Sequence, residues 1–306
     1  MTFYEFFCGG GMARAGLGPN WTCLMANDND PKKGASYTAN WGRPGLVVDD
    51  TANLTASGLP GVADLCWASP PCVGASLAGG RKGLGPETWA FLDLVRDLRA
   101  KCRAPRMVGI ENVPDALTSL GGKDFDRICD ALTDMGYPYG VMTIDAALFG
   151  PQSRERLFIV AVDGALDIPT SIAAQSPSLP FHTKAVVNAL RRQKTQPIWW
   201  RLPVPPRHNL TLADILDDRG MTWDAPTKTA EIVGMMDKPH LQRLEGDKVA
   251  GRLMVRSLNW RTRGAVTRWE SRDDLLANCL RTASGGSSIQ RLLFVDGSYA
   301  ENSVTA

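Results

Sequence analysis

The chain has 306 residues, 44% of them hydrophobic and 22% charged, with a net charge of +2. That is enough for one large domain with a core and a second, smaller one; no run of about eighteen apolar residues offers a membrane span, and no signal-like start is present, so a cytoplasmic protein is expected. Seven cysteines without a Cys-x-x-Cys pair speak against a disulfide framework or a structural zinc site. The three histidines, His182, His208 and His240, are far apart and are expected at the surface or in loops, with no metal.

In chain order, FYEFFCGGGMARAGLG (residues 3–18) is an apolar strand-like run entering a glycine turn and then a helix-suited stretch, the order that receives a nucleotide-like cofactor. Gly9 and Gly11 would let the backbone approach such a group. The next apolar run ends in Asp28, placed to accept hydrogen bonds from ribose hydroxyls. WASPPCVGASLAGG (67–80) sets Cys72 behind two prolines that fix the backbone, so the thiol is presented in a rigid extended segment. Gly74, Gly79, Gly80, Gly83 and Gly85 follow as a segment able to close over a substrate.

RMVGIENVP (106–114) is a short strand with Glu111 and Asn112 at its carboxyl end, where ligands gather in open parallel sheets. Partial desolvation there should raise the Glu111 pKa and let it donate a proton. In DAALFGPQSRERLFIVAV (145–162), Gln152, Arg154 and Arg156 alternate, which in an extended chain aims all three to one face. Apolar runs at 3–7, 21–26, 45–48, 63–68, 106–110, 139–144 and 156–162 predict strands, and 88–102 and 123–135 have helical spacing. Strands alternating with helices predict an α/β, doubly wound, Rossmann-like sheet.

Together these residues resemble the cytosine C5 methyltransferases of DNA, bacterial or phage type. The resemblance covers roughly residues 3–162 and resumes near 279–297. Phe7, Gly9 and Gly11 match the Phe-x-Gly-x-Gly cofactor loop, and Asp28 and Asp50 the next two cofactor positions. Pro71-Cys72 matches the Pro-Cys nucleophile, Ser76 the serine after it, Glu111-Asn112-Val113 the Glu-Asn-Val motif, and Gln152, Arg154 and Arg156 the Gln-x-Arg-x-Arg motif. Gly10, Asn29, Pro71 and Trp89 are assigned to the cofactor site by the same resemblance. Val73 departs from the glutamine usual after the cysteine, and Gly150-Pro151-Gln152 is one residue short.

The resemblance implies an S-adenosylmethionine-dependent enzyme acting on duplex DNA. Cytosine C5 is too weakly nucleophilic to take the methyl group until a thiolate, from Cys72, adds at C6. A protonated Glu111 at N3 would neutralise the charge pushed onto the ring, typically worth about two to four powers of ten in rate. Asn112 would orient that carboxyl, while Arg154 and Arg156 would contact cytosine O2 and a phosphate. The base must first be flipped out of the duplex.

Residues 181–281 carry 18 Lys and Arg against 11 Asp and Glu, a balance of +7 that leaves −5 elsewhere, and five of nine tryptophans: Trp199, Trp200, Trp223, Trp260 and Trp269. Polyphosphate partners select for such an asymmetry. The expected organisation is a catalytic and cofactor-binding domain at 1–164, a target-recognition domain at 165–278, and a return segment toward the catalytic domain at 279–306. Within the last, the expected motif around Leu-Thr-Pro-Arg-Glu is missing, and Asn302-Ser303-Val304 resembles the family's final motif with Glu301 in place of its glycine. A truncated chain, a split enzyme completed by a second polypeptide, and a divergent member stay open, as does a DNA-binding member without turnover. A restriction endonuclease is a candidate partner.

Overall fold

The computed structural model describes residues 1–72, 83–217, 219, 221–249, 253–263, 265–280, 290–295 and 301–305. The chain divides into two compact units: Met1–Ile144 with Glu155–Val204, and Asp145–Arg154 with Pro205–Ala306.

The first unit is built on a seven-stranded sheet. Its strands are β1 (Thr2–Phe6), β2 (Thr22–Asp28), β3 (Leu46–Val48), β4 (Leu65–Ala68), β5 (Met107–Asn112), β6 (Tyr139–Asp145) and β7 (Glu155–Val162), in the order β3-β2-β1-β4-β5-β7-β6. The pairs β2–β3, β1–β2, β1–β4 and β4–β5 are parallel, and β7 runs antiparallel to β5. Strands buried on both faces read as continuous apolar runs, which is why TFYEF and LCWA form where they do. All seven strand expectations hold to within a few residues.

Helices α1 (Met12–Leu17), α2 (Pro31–Trp41), α3 (Pro86–Ala100) and α4 (Lys123–Asp134) alternate with the strands. Asp30 caps α2 by accepting from the Lys32 N–H at 2.8 Å, with Pro31 in the first turn. In α3, Phe91, Val95 and Leu98 face the core; in α4, Phe125, Ile128, Cys129 and Leu132 do so at the 3.6-residue period. A further helix, α5 (Lys184–Leu190), and a two-stranded pair of β8 (Ala173–Ala174) and β9 (Trp199–Trp200) also belong to this unit.

The second unit holds α6 (Pro226–Gly234), α7 (Lys238–Lys248) and an antiparallel sheet of β10 (Met254–Arg263), β11 (Val266–Ser271), β12 (Gln290–Val295) and β13 (Glu301–Thr305), in the order β11-β10-β12-β13. Leu258, Trp269, Leu293 and Val295 pack against Ile232, Met236 and Leu244, while Val255, Leu292 and Phe294 pack with Leu212. Both sheet faces therefore carry a core. A buried ion pair, Arg256 with Asp247, fastens α7 to β10.

Two expectations about organisation are corrected. The boundary placed at residue 165 falls inside the first unit: Trp200 Nε1 donates to the Val160 carbonyl at 3.1 Å, and α5 packs into the main core. The described residues of 279–306 belong to the second unit and not to the catalytic sheet's unit: the apolar Leu292–Val295 run is buried between that unit's two cores, with Asn302-Ser303-Val304 in register beside it. His182, expected at the surface or in a loop, lies in the loop before α5 and is buried there, edge-on to Trp199.

Candidate active site

In the order β3-β2-β1-β4-β5, the winding reverses between β1 and β4, and the crevice at that switch point is where open α/β sheets bind ligands. The segments leaving β1, β4 and β5 are the glycine turn, Ser69-Pro70-Pro71-Cys72 and the Glu111-Asn112 end, so topology brings the three sequence motifs to one edge.

The glycine turn is held from beneath. Phe7, Gly9 and Gly11 have φ of 57°, 53° and 83°. A Cβ on Gly11 would collide with the Trp41 indole, whereas one on Gly9 would enter open space, so the turn closes on α2 and opens at Gly9. Trp41 Nε1 and Asn40 Nδ2 both donate to the Gly10 carbonyl at 3.0 Å. Asp28, 2% exposed, accepts from the Gly9 N–H and the Asp30 N–H, each at 3.0 Å, with Lys33 Nζ at 3.7 Å. Its carboxylate thus organises the turn, a task the ribose assignment did not foresee. Asn29 is exposed. Buried Asn27 donates to the Val47 and Asp49 carbonyls and sets the loop in which Asp50 caps the following 3-10 turn through the Ala52 N–H.

Glu5 was missed by the motif reading. It is 1% exposed within β1, and its Oε1 accepts from the Ala13 and Arg14 N–H groups at 3.0 and 3.4 Å, while Oε2 has no partner among the described residues. Burial pushes its carboxyl up to about 7. The available signal was an acidic residue inside a run of aromatic ones.

Cys72 is partly buried, where the sequence predicts a presented thiol. Ser69 N–H donates to the Phe6 carbonyl at 3.3 Å, Trp67 Nε1 to Ser69 Oγ at 3.0 Å, and Asn112 Nδ2 to the Pro70 carbonyl at 3.3 Å. These bonds tie the Pro-Pro-Cys segment to β1, β4 and β5. The Asn112 amide therefore reaches the backbone two residues before Cys72, and it points away from the Glu111 carboxyl, since neighbouring residues in a strand point to opposite faces. Val73 and Ser76 lie outside the described residues, as do Gly74, Gly79 and Gly80. Gly83 and Leu84 are fixed instead of lid-like: both are buried, and the Leu84 N–H donates to Asp124 Oδ2 at 2.7 Å.

Glu111 is not an isolated desolvated acid, because Arg156 Nε lies 3.1 Å from its Oε1, with the two side chains 18% and 22% exposed. Register explains the pairing: Glu111 faces Phe158 across the antiparallel β5–β7 ladder, and Arg156 is the diagonal neighbour. Gln152, Arg154 and Arg156 do not share one extended face. The division between units falls after Arg154, so Gln152 and Arg154 belong to the second unit, where Gln152 bridges Ala277 and Arg154 Nη1 donates to Cys279 Sγ at 3.2 Å. Trp89 sits in the first turn of α3 with the Arg127 guanidinium 3.8 Å from its ring centroid. Among the described residues no group of acidic, His and Cys side chains could hold a metal ion, and no helix is long and apolar enough to cross a membrane.

The model of the C-5 cytosine-specific DNA methylase family matches residues 1–258. The chain belongs to this family. Among curated relatives, the type II methyltransferase M.BsuFI of Bacillus subtilis is 33% identical over 171 residues, 55% of this chain and 41% of that protein. The type II methyltransferase M.Bsp6I of Bacillus sp. (strain RFL6) is 32% identical over 141 residues, 45% of this chain and 44% of that protein. The chain thus spans less than half the length of either. A crystal structure of a Spodoptera frugiperda DNMT2 mutant superposes with a TM-score of 0.52 at 18% identity, covering 77% of this chain and 66% of that one, which supports the Rossmann-like fold. The family's cofactor is S-adenosylmethionine, and the glycine turn of this chain suits it. Asp28 and Glu5 already take N–H groups of the turn and of α1 that a pyrophosphate would need, and Glu5 Oε2 has no partner among the described residues.

Proposed function

We propose that this chain transfers a methyl group from S-adenosylmethionine to C5 of a cytosine flipped out of duplex DNA, through a transient bond between Cys72 Sγ and C6. The observation that carries the reading is the adjacency of β1, β4 and β5, which sets the glycine turn, Cys72 and Glu111 at one sheet edge. Glu5, Asp28 and the open side of Gly9 would hold the cofactor, with Phe7, Gly10, Gly11, Asn29, Asp50, Pro71 and Trp89 around it. That group supplies an electrophilic methyl when bound.

Cys72, as the thiolate, adds its electron pair to C6, and the ring electrons move toward N3, which takes the proton carried by the protonated Glu111 carboxyl; C5 then carries the nucleophilic density. Arg156 keeps the Glu111 carboxyl aimed until the base enters and N3 replaces the guanidinium as its partner. After transfer, water removes the C5 proton, the C5–C6 double bond re-forms as Cys72 leaves as the thiolate, and N3 returns its proton to Glu111. Gln152 and Arg154 contribute contacts to the target nucleotide, and basic residues of the second unit contribute phosphate contacts.

Genomic DNA from cells expressing the chain, sequenced with 5-methylcytosine resolved at each base, is expected to show methylation at one recurrent sequence. The Cys72→Ser variant is expected to show none. Unmethylated DNA from cells making soluble wild-type protein would overturn the reading.

A further inference from the structure

We propose that a buried polar ring in the second unit, Ser257, Asn278 and Gln290, acts as a positioning device for Arg154, so that the central strands β10 and β12 of that unit's sheet set the arginine's geometry. The proposal rests on the reading above, in which Arg154 contacts the target nucleotide. Arg154 itself is held at both backbone and side chain: its N–H donates to Asp145 Oδ1 at 2.7 Å, its carbonyl accepts from the Ala146 N–H at 3.1 Å, and Nη1 donates to Cys279 Sγ at 3.2 Å and to the Leu280 carbonyl at 3.5 Å. The side-chain contacts therefore come from residues more than a hundred positions away in sequence. Segment 277–280 lies along 151–154 like a strap, with the Ala277 N–H on the Pro151 carbonyl at 2.7 Å and the Ser153 N–H on the Ala277 carbonyl at 3.0 Å.

The strap is fixed by side chains. Asn278 directs both its N–H and its Nδ2 to Ser257 Oγ, at 3.4 and 2.8 Å; Ser257 Oγ donates to Gln290 Oε1 at 3.1 Å; and Gln290 Nε2 donates to the Cys279 carbonyl at 2.8 Å. Ser257, Asn278 and Gln290 are all buried. The Ser257 hydroxyl uses its one proton and both lone pairs, so the ring is satisfied only in this arrangement. A satisfied buried network has one good geometry and costs heavily in others, which makes it a rigid link between sheet and strap. Ser257 lies in β10 and Gln290 in β12, and Asn259 faces Gln290 across the same ladder. Movement of these strands would carry Cys279 and Leu280, and with them the arginine.

The test is a cycle built on the full chain. Ser257→Ala leaves two Asn278 donors and Gln290 Oε1 unpaired, and it is expected to lower kcat for methyl transfer by about ten- to a hundredfold, the cost of a misplaced contact group, with KM for DNA and cofactor within about twofold. Ser257→Thr, which restores the hydroxyl, is expected to recover most of the loss. In an Arg154→Ala background, Ser257→Ala is expected to have no further effect on kcat. An equal loss with and without Arg154 would show that the ring serves stability alone and would overturn the proposal.

A second readout does not need turnover. Alkylation of Cys279, followed by peptide mass spectrometry, runs at one rate in the wild-type protein and at another once Arg154→Ala removes the guanidinium. Ser257→Ala is expected to move the rate toward that of Arg154→Ala; a rate unchanged from wild type would overturn the positioning role. If the wild-type protein transfers no methyl group, the reading of the function fails, and the alkylation rates alone decide whether the ring holds Arg154.

Discussion

Glu111 and Arg156 show why a motif's residue types are not yet a geometry. The carboxyl meets a guanidinium across the β5–β7 ladder, so the arginine is a partner of the acid before it is a partner of anything else. Arg156→Gln is expected to lower kcat by about tenfold or more while leaving cofactor affinity within about twofold, because the carboxyl loses its aim and not its chemistry; single-turnover rates and cofactor titration check both. Glu5 makes a pH prediction. Its carboxyl is raised from 4.5 to about 7, so the folded chain binds that proton more tightly than the unfolded one. Stability is therefore favoured below about pH 4.5 and declines as pH rises to about 7, by on the order of 3 kcal/mol. Glu5→Gln should raise the denaturation midpoint at pH 8 and flatten that decline, yet weaken cofactor binding by removing the buried anion. Equal midpoints of the two proteins at pH 8 would contradict this account of Glu5.

Elements, more than single residues, decide whether Cys72 is usable. The Asn112 amide links the end of β5 to the Pro70 carbonyl, and Ser69 links β4 to the end of β1, so the Pro-Pro-Cys segment is fixed by two neighbouring strands. Asn112→Ala is expected to lower the rate of covalent attack on a trapping substrate by about ten- to a hundredfold with cofactor binding retained. Stability belongs to α3 and α4: Phe91, fully buried against Phe6, is expected to cost about 3–5 kcal/mol when changed to Ala, read by denaturant unfolding. The strands were legible because a parallel sheet buried on both faces leaves unbroken apolar runs, and Cys72, Glu111 and the glycine turn fall at their carboxyl ends. The partners of Asn112, Asp28 and Arg156 were not legible. Each depends on which strands lie side by side and in what register, and spacing along one strand carries no trace of its neighbour. Glu5 stayed hidden because a charge in an apolar run reads as an interruption until its backbone partners in α1 are known.

At the scale of the whole molecule, the sequence shows a basic stretch but not where the second unit begins. The ten residues Asp145–Arg154 join it through Ala277 and Cys279, and 165–204 stays with the first unit through Trp200 and α5. A boundary set by long-range pairing is invisible to composition. A chain ending at Val204 keeps the glycine turn, Glu5 and Asp28 but strips Gln152 of Ala277 and Arg154 of Cys279 and Leu280. It is expected to bind S-adenosylmethionine by calorimetry and to transfer no methyl group to duplex DNA. The most direct test of the central claim is covalent trapping. Duplex DNA carrying 5-fluorocytosine, incubated with the intact chain and cofactor, is expected to give a denaturation-resistant protein–DNA adduct whose cross-linked peptide maps to Cys72. The Cys72→Ser variant should give none; an adduct that persists in that variant, or maps to another residue, would contradict the account.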